Sequence, residues 1–171
     1  SDVCSSDLVA LFALNRLSEA AEDCDRAIAL DPARAEALNN RGVVRFALER
    51  FAEAAEDYGR ALALKPDYAE ALYNNALALE KLSRFNDALT SLDRAIALNP
   101  DYPEAHNLRG NLLCALMQWE KALASYDRAV ALAPAYADAV NNRGVALLQM
   151  KRLDEAIESH TRAIARSEEH T

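Results

Sequence analysis

Glycine is scarce in this sequence, with four in 171 residues, and aromatic residues make up only 6% of it. So little glycine leaves no glycine-rich loop to cradle a phosphate, and neither His-Glu-x-x-His nor a nucleophile elbow occurs. The β-branched and aromatic clusters that mark strands are missing as well. Cys4, Cys24 and Cys114 are few and irregularly spaced, which argues against a disulfide framework or a zinc site and fits a reducing, cytoplasmic compartment. Positive charge is short too: 19 Lys and Arg against 27 Asp and Glu leave a net charge of −8. The chain therefore lacks the basic face that neutralises phosphates, and nucleic acid is not expected as a ligand. No apolar run approaches the ~20 residues needed to cross a bilayer. No membrane partner, cofactor or metal is expected from these residues.

What is abundant are the strong helix formers Ala, Leu, Glu and Arg, in a chain that is 51% hydrophobic. The expected class is all-α. Pro32, Pro66, Pro100 and Pro134 recur at a constant interval of 34 residues. Around them stand Arg-Ala-Ile-Ala-Leu-Asp-Pro (26–32), Arg-Ala-Leu-Ala-Leu-Lys-Pro (60–66), Arg-Ala-Ile-Ala-Leu-Asn-Pro (94–100) and Arg-Ala-Val-Ala-Leu-Ala-Pro (128–134). A proline lacks an N–H and clashes inside a helix, so each one closes one helical hairpin and opens the next. Two stretches of 3.6 periodicity lie between successive prolines, divided by turns such as Leu48-Glu-Arg-Phe51.

Counting Ala35 as the first place of a unit, small residues hold the eighth place (Gly42, Ala76, Gly110, Gly144) and the twentieth (Ala20, Ala54, Ala88, Ala122, Ala156). They let the two backbones of a hairpin approach closely, and Ala27, Ala61, Ala95, Ala129 and Ala163 do the same between hairpins. Phe51, Phe85 and Trp119 at the turns, Tyr58 and Tyr126, and Leu30, Leu64, Leu98 and Leu132 are expected to fill the remaining space.

These residues resemble the tetratricopeptide repeat family at its small, aromatic and proline places, over residues 9–165. Two places depart from the family pattern: its first-helix Trp is Leu38, Leu72, His106 or Val140, and its seventh-place Leu is Arg41, Asn75, Arg109 or Arg143. The resemblance implies a right-handed α-solenoid of antiparallel helical hairpins. A partial repeat spans residues 9–34, full repeats span 35–68, 69–102 and 103–136, and a truncated one spans 137–165.

The two ends fall outside this pattern. Arg166 to Thr171 can be encoded as AGA TCG GAA GAG CAC ACG, whose reverse complement encodes Val-Cys-Ser-Ser-Asp and opens a Leu codon, matching Val3 to Leu8. Residues 1–8 and 166–171 resemble translated sequencing adapter and are set aside as non-native. The array is then expected to lack a polar capping helix, and self-association through its uncapped ends, around Ile157 and Ile164, is expected.

In the tetratricopeptide family the first helices line a groove that takes an extended or helical peptide. The resemblance places Asn39, Tyr73, Asn107 and Asn141 at its fifth place, Asn40, Asn74 and Asn142 at its sixth, and Asn111 at a ninth. Asn is a mediocre helix former, and its amide both donates and accepts, so a row of them suits a peptide backbone. The row is similar to the asparagine ladder of O-linked N-acetylglucosamine transferases. The acids at the second place (Glu36, Glu70, Glu104, Asp138) are read as complements to the helix dipole. The Lys and Arg clamp of chaperone-tail binders has no counterpart at these places. Arg41, Arg109 and Arg143 are expected to pair laterally with an Asp of a neighbouring hairpin, and Arg45 to snorkel. The expected function is a non-catalytic scaffold that binds other proteins through extended peptide segments. The alternative is the substrate-recruiting arm of a larger enzyme such as a glycosyltransferase.

Overall fold

A computed structural model describes residues 17–151. Eight helices follow one another among them: α1 (Leu17–Leu30), α2 (Ala35–Ala47), α3 (Phe51–Leu64), α4 (Ala69–Lys81), α5 (Phe85–Leu98), α6 (Pro103–Ala115), α7 (Trp119–Leu132) and α8 (Ala137–Gln149). The first helices α2, α4, α6 and α8 thus begin at positions 34 residues apart. The adapter-like ends and Ala156, Ile157, Ala163 and Ile164 lie outside the described residues.

None of α2, α3, α4, α6, α7 and α8 has a side-chain N-cap bond; Arg34, Arg50, Tyr68, Tyr102, Gln118 and Tyr136 occupy that position. Each of these helices instead carries an acid in its first turn, such as Glu36, Glu53 and Glu70, which answers the unpaired N–H groups electrostatically. At the other end, Glu49, Ser83, Met117 and Lys151 take a left-handed conformation with φ near 60°. In the first of these turns Glu49 N–H bonds Phe46 O and Arg50 N–H bonds Arg45 O, tying off the last carbonyls of α2. The left-handed region costs a side-chain-bearing residue about 1–2 kcal/mol. Met117 is 76% exposed, so its side chain contributes little packing. Met117→Gly is therefore expected to stabilise the fold by about 1 kcal/mol, seen as a rise of roughly 2–4 °C in Tm. A lower Tm would show that glycine's extra freedom in the unfolded chain outweighs the relief.

The chain divides into two compact units, with the boundary between Ser91 and Leu92 inside α5. In the first unit α2 packs against α1 and α3, α3 against α4, and the first helices α2 and α4 also touch. In the second, α6 pairs with α7, α7 packs on α8, and α6 touches α8. The twentieth-place alanines Ala54, Ala88 and Ala122 are fully buried, and Ala20 nearly so. Leu38, Leu72 and Val140, at the family's Trp place, are buried core residues. Ala61, Ala95 and Ala129 are fully buried, and Ala27 partly so.

One packing expectation is corrected. Leu30 is 88% exposed, Leu64 and Leu98 are also exposed, and Leu132 is half-buried, so the residue before the proline spacer does not fill the core. Each of the four is the last residue of its helix, where no further turn follows to cover it.

Candidate functional site

Asn107, Asn111 and Asn142 converge where α8 packs across α6. Asn142 Nδ2 donates to both Asn107 Oδ1 (3.2 Å) and Asn111 Oδ1 (3.1 Å). Tyr126 of α7 donates its hydroxyl to Asn111 Oδ1 at 2.8 Å, and Asn107 Nδ2 donates to Tyr136 Oη at 3.3 Å. Burial pushes the hydroxyl pKa of Tyr126 well above its ordinary value, and its contact with Cys114 Sγ at 3.5 Å acts in the same direction. Tyr136 is raised by burial as well, so both rings stay neutral and serve as fixed hydrogen-bond partners. Above this network lies a cleft of about 320 Å³ lined by Asn111, Cys114, Trp119, Tyr126, Asn142, Val145 and Gln149.

An Asn amide has two hydrogens and one oxygen to place. In the cleft, Asn142 has committed its Nδ2 and Asn111 its Oδ1. Neither Asn142 Oδ1 nor Asn111 Nδ2 has a partner among the described residues, and neither is a buried orphan. One acceptor and one donor, on side chains that are already fixed, therefore remain beside Trp119 and Val145. A peptide group offers the complementary pair.

The first unit repeats half of this arrangement. Asn74 Nδ2 donates to Asn39 Oδ1 at 3.1 Å, and Asn39 Nδ2 donates to Glu70 Oε1 at 3.2 Å. Tyr68, bonded to Asn39, stands where Tyr136 stands in the second unit, and burial pushes its hydroxyl up to about 12. The ninth place here is Val43 rather than an Asn, so the second acceptor for Asn74 is missing.

The eight residues singled out from the sequence thus divide by environment. Asn39 is 0% and Asn107 7% exposed, and both spend their amides on neighbouring helices, each accepting from a sixth-place Asn. Asn40, Tyr73, Asn74, Asn111 and Asn142 are half-buried, and Asn141 is exposed. Val145 and Gln149, which line the cleft, carry no mark in the sequence, and Trp119 beside them is marked there only as a packing residue. They fall at the turn and on the outer flank of α8, where the asparagine pattern gives no signal.

The seventh-place arginines pair laterally. Arg41 reaches Asp25 (2.7 Å), Arg109 reaches Asp93 (2.7 Å) and Arg143 reaches Asp127 (2.5 Å), each on the second helix of the hairpin before. Arg45 does more than snorkel: its Nη1 meets Asp57 Oδ2 at 2.6 Å. Asp57 is fully buried and also takes Arg41 Nε (2.8 Å) and Nη2 (2.5 Å). Donating to the Asp57 carboxylate holds the Arg41 guanidinium above its already high ordinary pKa. A sequence signal did exist. Arg45 and Asp57 replace Leu113 and Ser125 of the hairpin that follows two repeats later, and both replacements fall in one hairpin.

This geometry is that of a helical-hairpin repeat protein whose first helices carry a repeated set of polar side chains. Models described as tetratricopeptide repeat match residues 9–69, 45–112 and 137–170, and one described as TPR repeat matches residues 110–151. The chain belongs to the tetratricopeptide repeat family, a family of protein–protein interaction scaffolds.

No curated protein sequence matches it. Among solved structures it is similar to MamA at 22% identity with a TM-score of 0.90, covering 99% of this chain and 97% of that one. A fragment of MamA from Desulfovibrio magneticus RS-1 aligns at 20% identity with a TM-score of 0.89, covering 98% and 94%. YrrB, described as a TPR protein with an unusual peptide-binding site, aligns at 28% identity with a TM-score of 0.79, covering 95% of this chain and 84% of that one. No helix among the described residues is long and apolar enough to cross a membrane.

Proposed function

We propose that the chain is a non-catalytic scaffold that binds an extended segment of another protein in the cleft over α6 and α8. The observation that carries this reading is the fixed amide pair. Asn111 and Asn142 are held by each other and by Tyr126, leaving one donor and one acceptor beside an apolar wall. Side chains fixed before binding lose little entropy on it, which raises the affinity gained per hydrogen bond. Peptide groups recur in every protein, so the cleft reads backbone, with Trp119 and Val145 covering an apolar side chain. The family membership and the peptide-binding site described for YrrB support the same reading.

The test is calorimetry with a peptide selected on this protein from a phage-displayed library. Changing both Asn111 and Asn142 to Ala removes two hydrogen bonds and should weaken binding about tenfold or more. Circular dichroism confirms that the variant stays helical. Unchanged affinity in a folded variant sinks the reading. The alternative use of the same face, as the substrate-recruiting arm of a larger enzyme such as a glycosyltransferase, rests on Asn74 and Asn142, each held by a fifth-place Asn of the preceding hairpin. It predicts a catalytic domain in the same gene.

A further inference from the structure

Three of the four junctions between hairpins are closed by the same device. A seventh-place arginine reaches back to a twenty-fifth-place aspartate: Arg41 to Asp25, Arg109 to Asp93 and Arg143 to Asp127. In two of them the same guanidinium also bonds the twenty-third place of its own hairpin. Arg109 Nη1 donates to Ser125 Oγ at 2.9 Å, and Arg41 bonds Asp57. The slot between two second helices is thus shaped for a guanidinium.

The fourth junction has lost both partners at once. Gly59 stands in the aspartate's place and Asn75 in the arginine's. Asn75 is too short to cross the slot; it donates Nδ2 to Ser91 Oγ at 3.1 Å, and Ser91 is the counterpart of Ser125. A Cβ added at Gly59 would meet nothing within 4 Å. The result is a cleft of about 500 Å³ lined by Glu56, Gly59, Asn75, Leu79, Leu82 and Ser91, among others.

We propose that this cleft takes the guanidinium of an arginine side chain supplied by another polypeptide. Its acceptors are in place. Glu56, one turn before Gly59, has no ion-pair partner among the described residues, and Asn75 Oδ1 has none for a hydrogen bond. The cation that also lines the cleft, Arg84, is occupied by Asp87 at 2.7 Å and does not compete for Glu56. Leu79 and Leu82 supply apolar surface for the methylene stem, as an arginine entering from solvent requires. The incoming group would restore in trans the interaction that the other junctions make in cis. This site shares no residue with the asparagine cleft and does not depend on the reading given for it.

The experiment is ¹H–¹⁵N NMR titration of the whole chain with acetyl-Ala-Arg-Ala-amide, and with the same peptide carrying citrulline, the uncharged isostere. The amides of Gly59, Asn75 and Ser91 should shift and saturate with the arginine peptide, and the citrulline peptide should bind about tenfold more weakly or worse. The double variant Gly59→Asp, Asn75→Arg copies the closed junctions, fills the slot and should abolish the shifts. Glu56→Gln, an exposed change that leaves the core untouched, should weaken binding about threefold or more. Asn142→Ala should leave these shifts as they were. Equal binding of the citrulline peptide, absence of saturable shifts at the three amides, or an unaffected Glu56→Gln variant would overturn the proposal.

Discussion

Replacing Asp57 with alanine should cost the fold about 3–5 kcal/mol, the range for breaking a buried ion pair from one side, and lower Tm by roughly 10 °C. The carboxylate is fully buried and takes three short bonds from Arg41 and Arg45. Those guanidiniums are only 12% and 19% exposed, so removing the anion leaves two largely buried cations without their main partner. Arg41 would retain Asp25, and Arg45 the distant Glu53 at 3.8 Å, neither of which replaces a bidentate partner. The chain also contains its own control. At the same places the hairpin α6–α7 carries Leu113 and Ser125, and Arg109 is satisfied there by Ser125 and Asp93. Changing Arg45 to Leu together with Asp57 to Ser should therefore recover most of the loss, because a well-packed apolar replacement of a buried pair is often neutral or better. Urea denaturation of Arg45→Leu, Asp57→Ser and the double variant closes the cycle. A double variant as unstable as Asp57→Ala would mean that this hairpin requires the charges themselves.

The repeat frame was legible because proline, alanine and glycine are places where backbone geometry leaves few choices. Pro32, Pro66, Pro100 and Pro134 mark the breaks, and the helices start three residues after Pro32, Pro66, Pro100 and Pro134, at Ala35, Ala69, Pro103 and Ala137. The asparagine positions were legible as a pattern, but their environments were not. Asn39 and Asn40 are neighbours on one helix, yet Asn39 is sealed by Glu70 and Asn74 while Asn40 keeps part of its surface in water. A one-residue step turns a side chain by about 100° on a helix, enough to carry it from an interface to its margin. The fate of Leu30, Leu64 and Leu98 was illegible for a related reason: hydrophobicity says that a residue could be buried, and only the end of the helix says that nothing covers it. Asp57 was missed because a single acid among many on second helices carries no mark. Its signal lay in the comparison with Ser91 and Ser125, where the place is small and buried.

Gly110→Ala should destabilise the fold even though alanine is the better helix former. A Cβ at Gly110 would stand 2.6 Å from Tyr126 Cδ1 and 2.7 Å from Cζ, and Gly42 faces Tyr58 in the same way. The Tyr126 ring is 2% exposed and cannot swing aside as the tip of a flexible side chain could. Overpacking of this kind costs about 1–3 kcal/mol, of which helix propensity returns up to ~1, so the net loss is about 1–2 kcal/mol. The effect should also reach the cleft, since displacing the ring pulls its hydroxyl from Asn111 and frees the amide that Asn142 helps to hold. Affinity for a selected peptide should fall along with stability. The sequence again indicates the remedy. Where the eighth place is Gly42 or Gly110 the twenty-fourth is Tyr58 or Tyr126, and where the eighth is Ala76 the twenty-fourth is Leu92. Gly110→Ala combined with Tyr126→Leu should therefore regain stability while leaving peptide binding impaired, because the hydroxyl that orients Asn111 is gone. Denaturant midpoints and calorimetry on the same three proteins separate packing from positioning. A neutral Gly110→Ala would mean that the ring has slack, and that the pairing of glycine with tyrosine reflects repeat duplication alone.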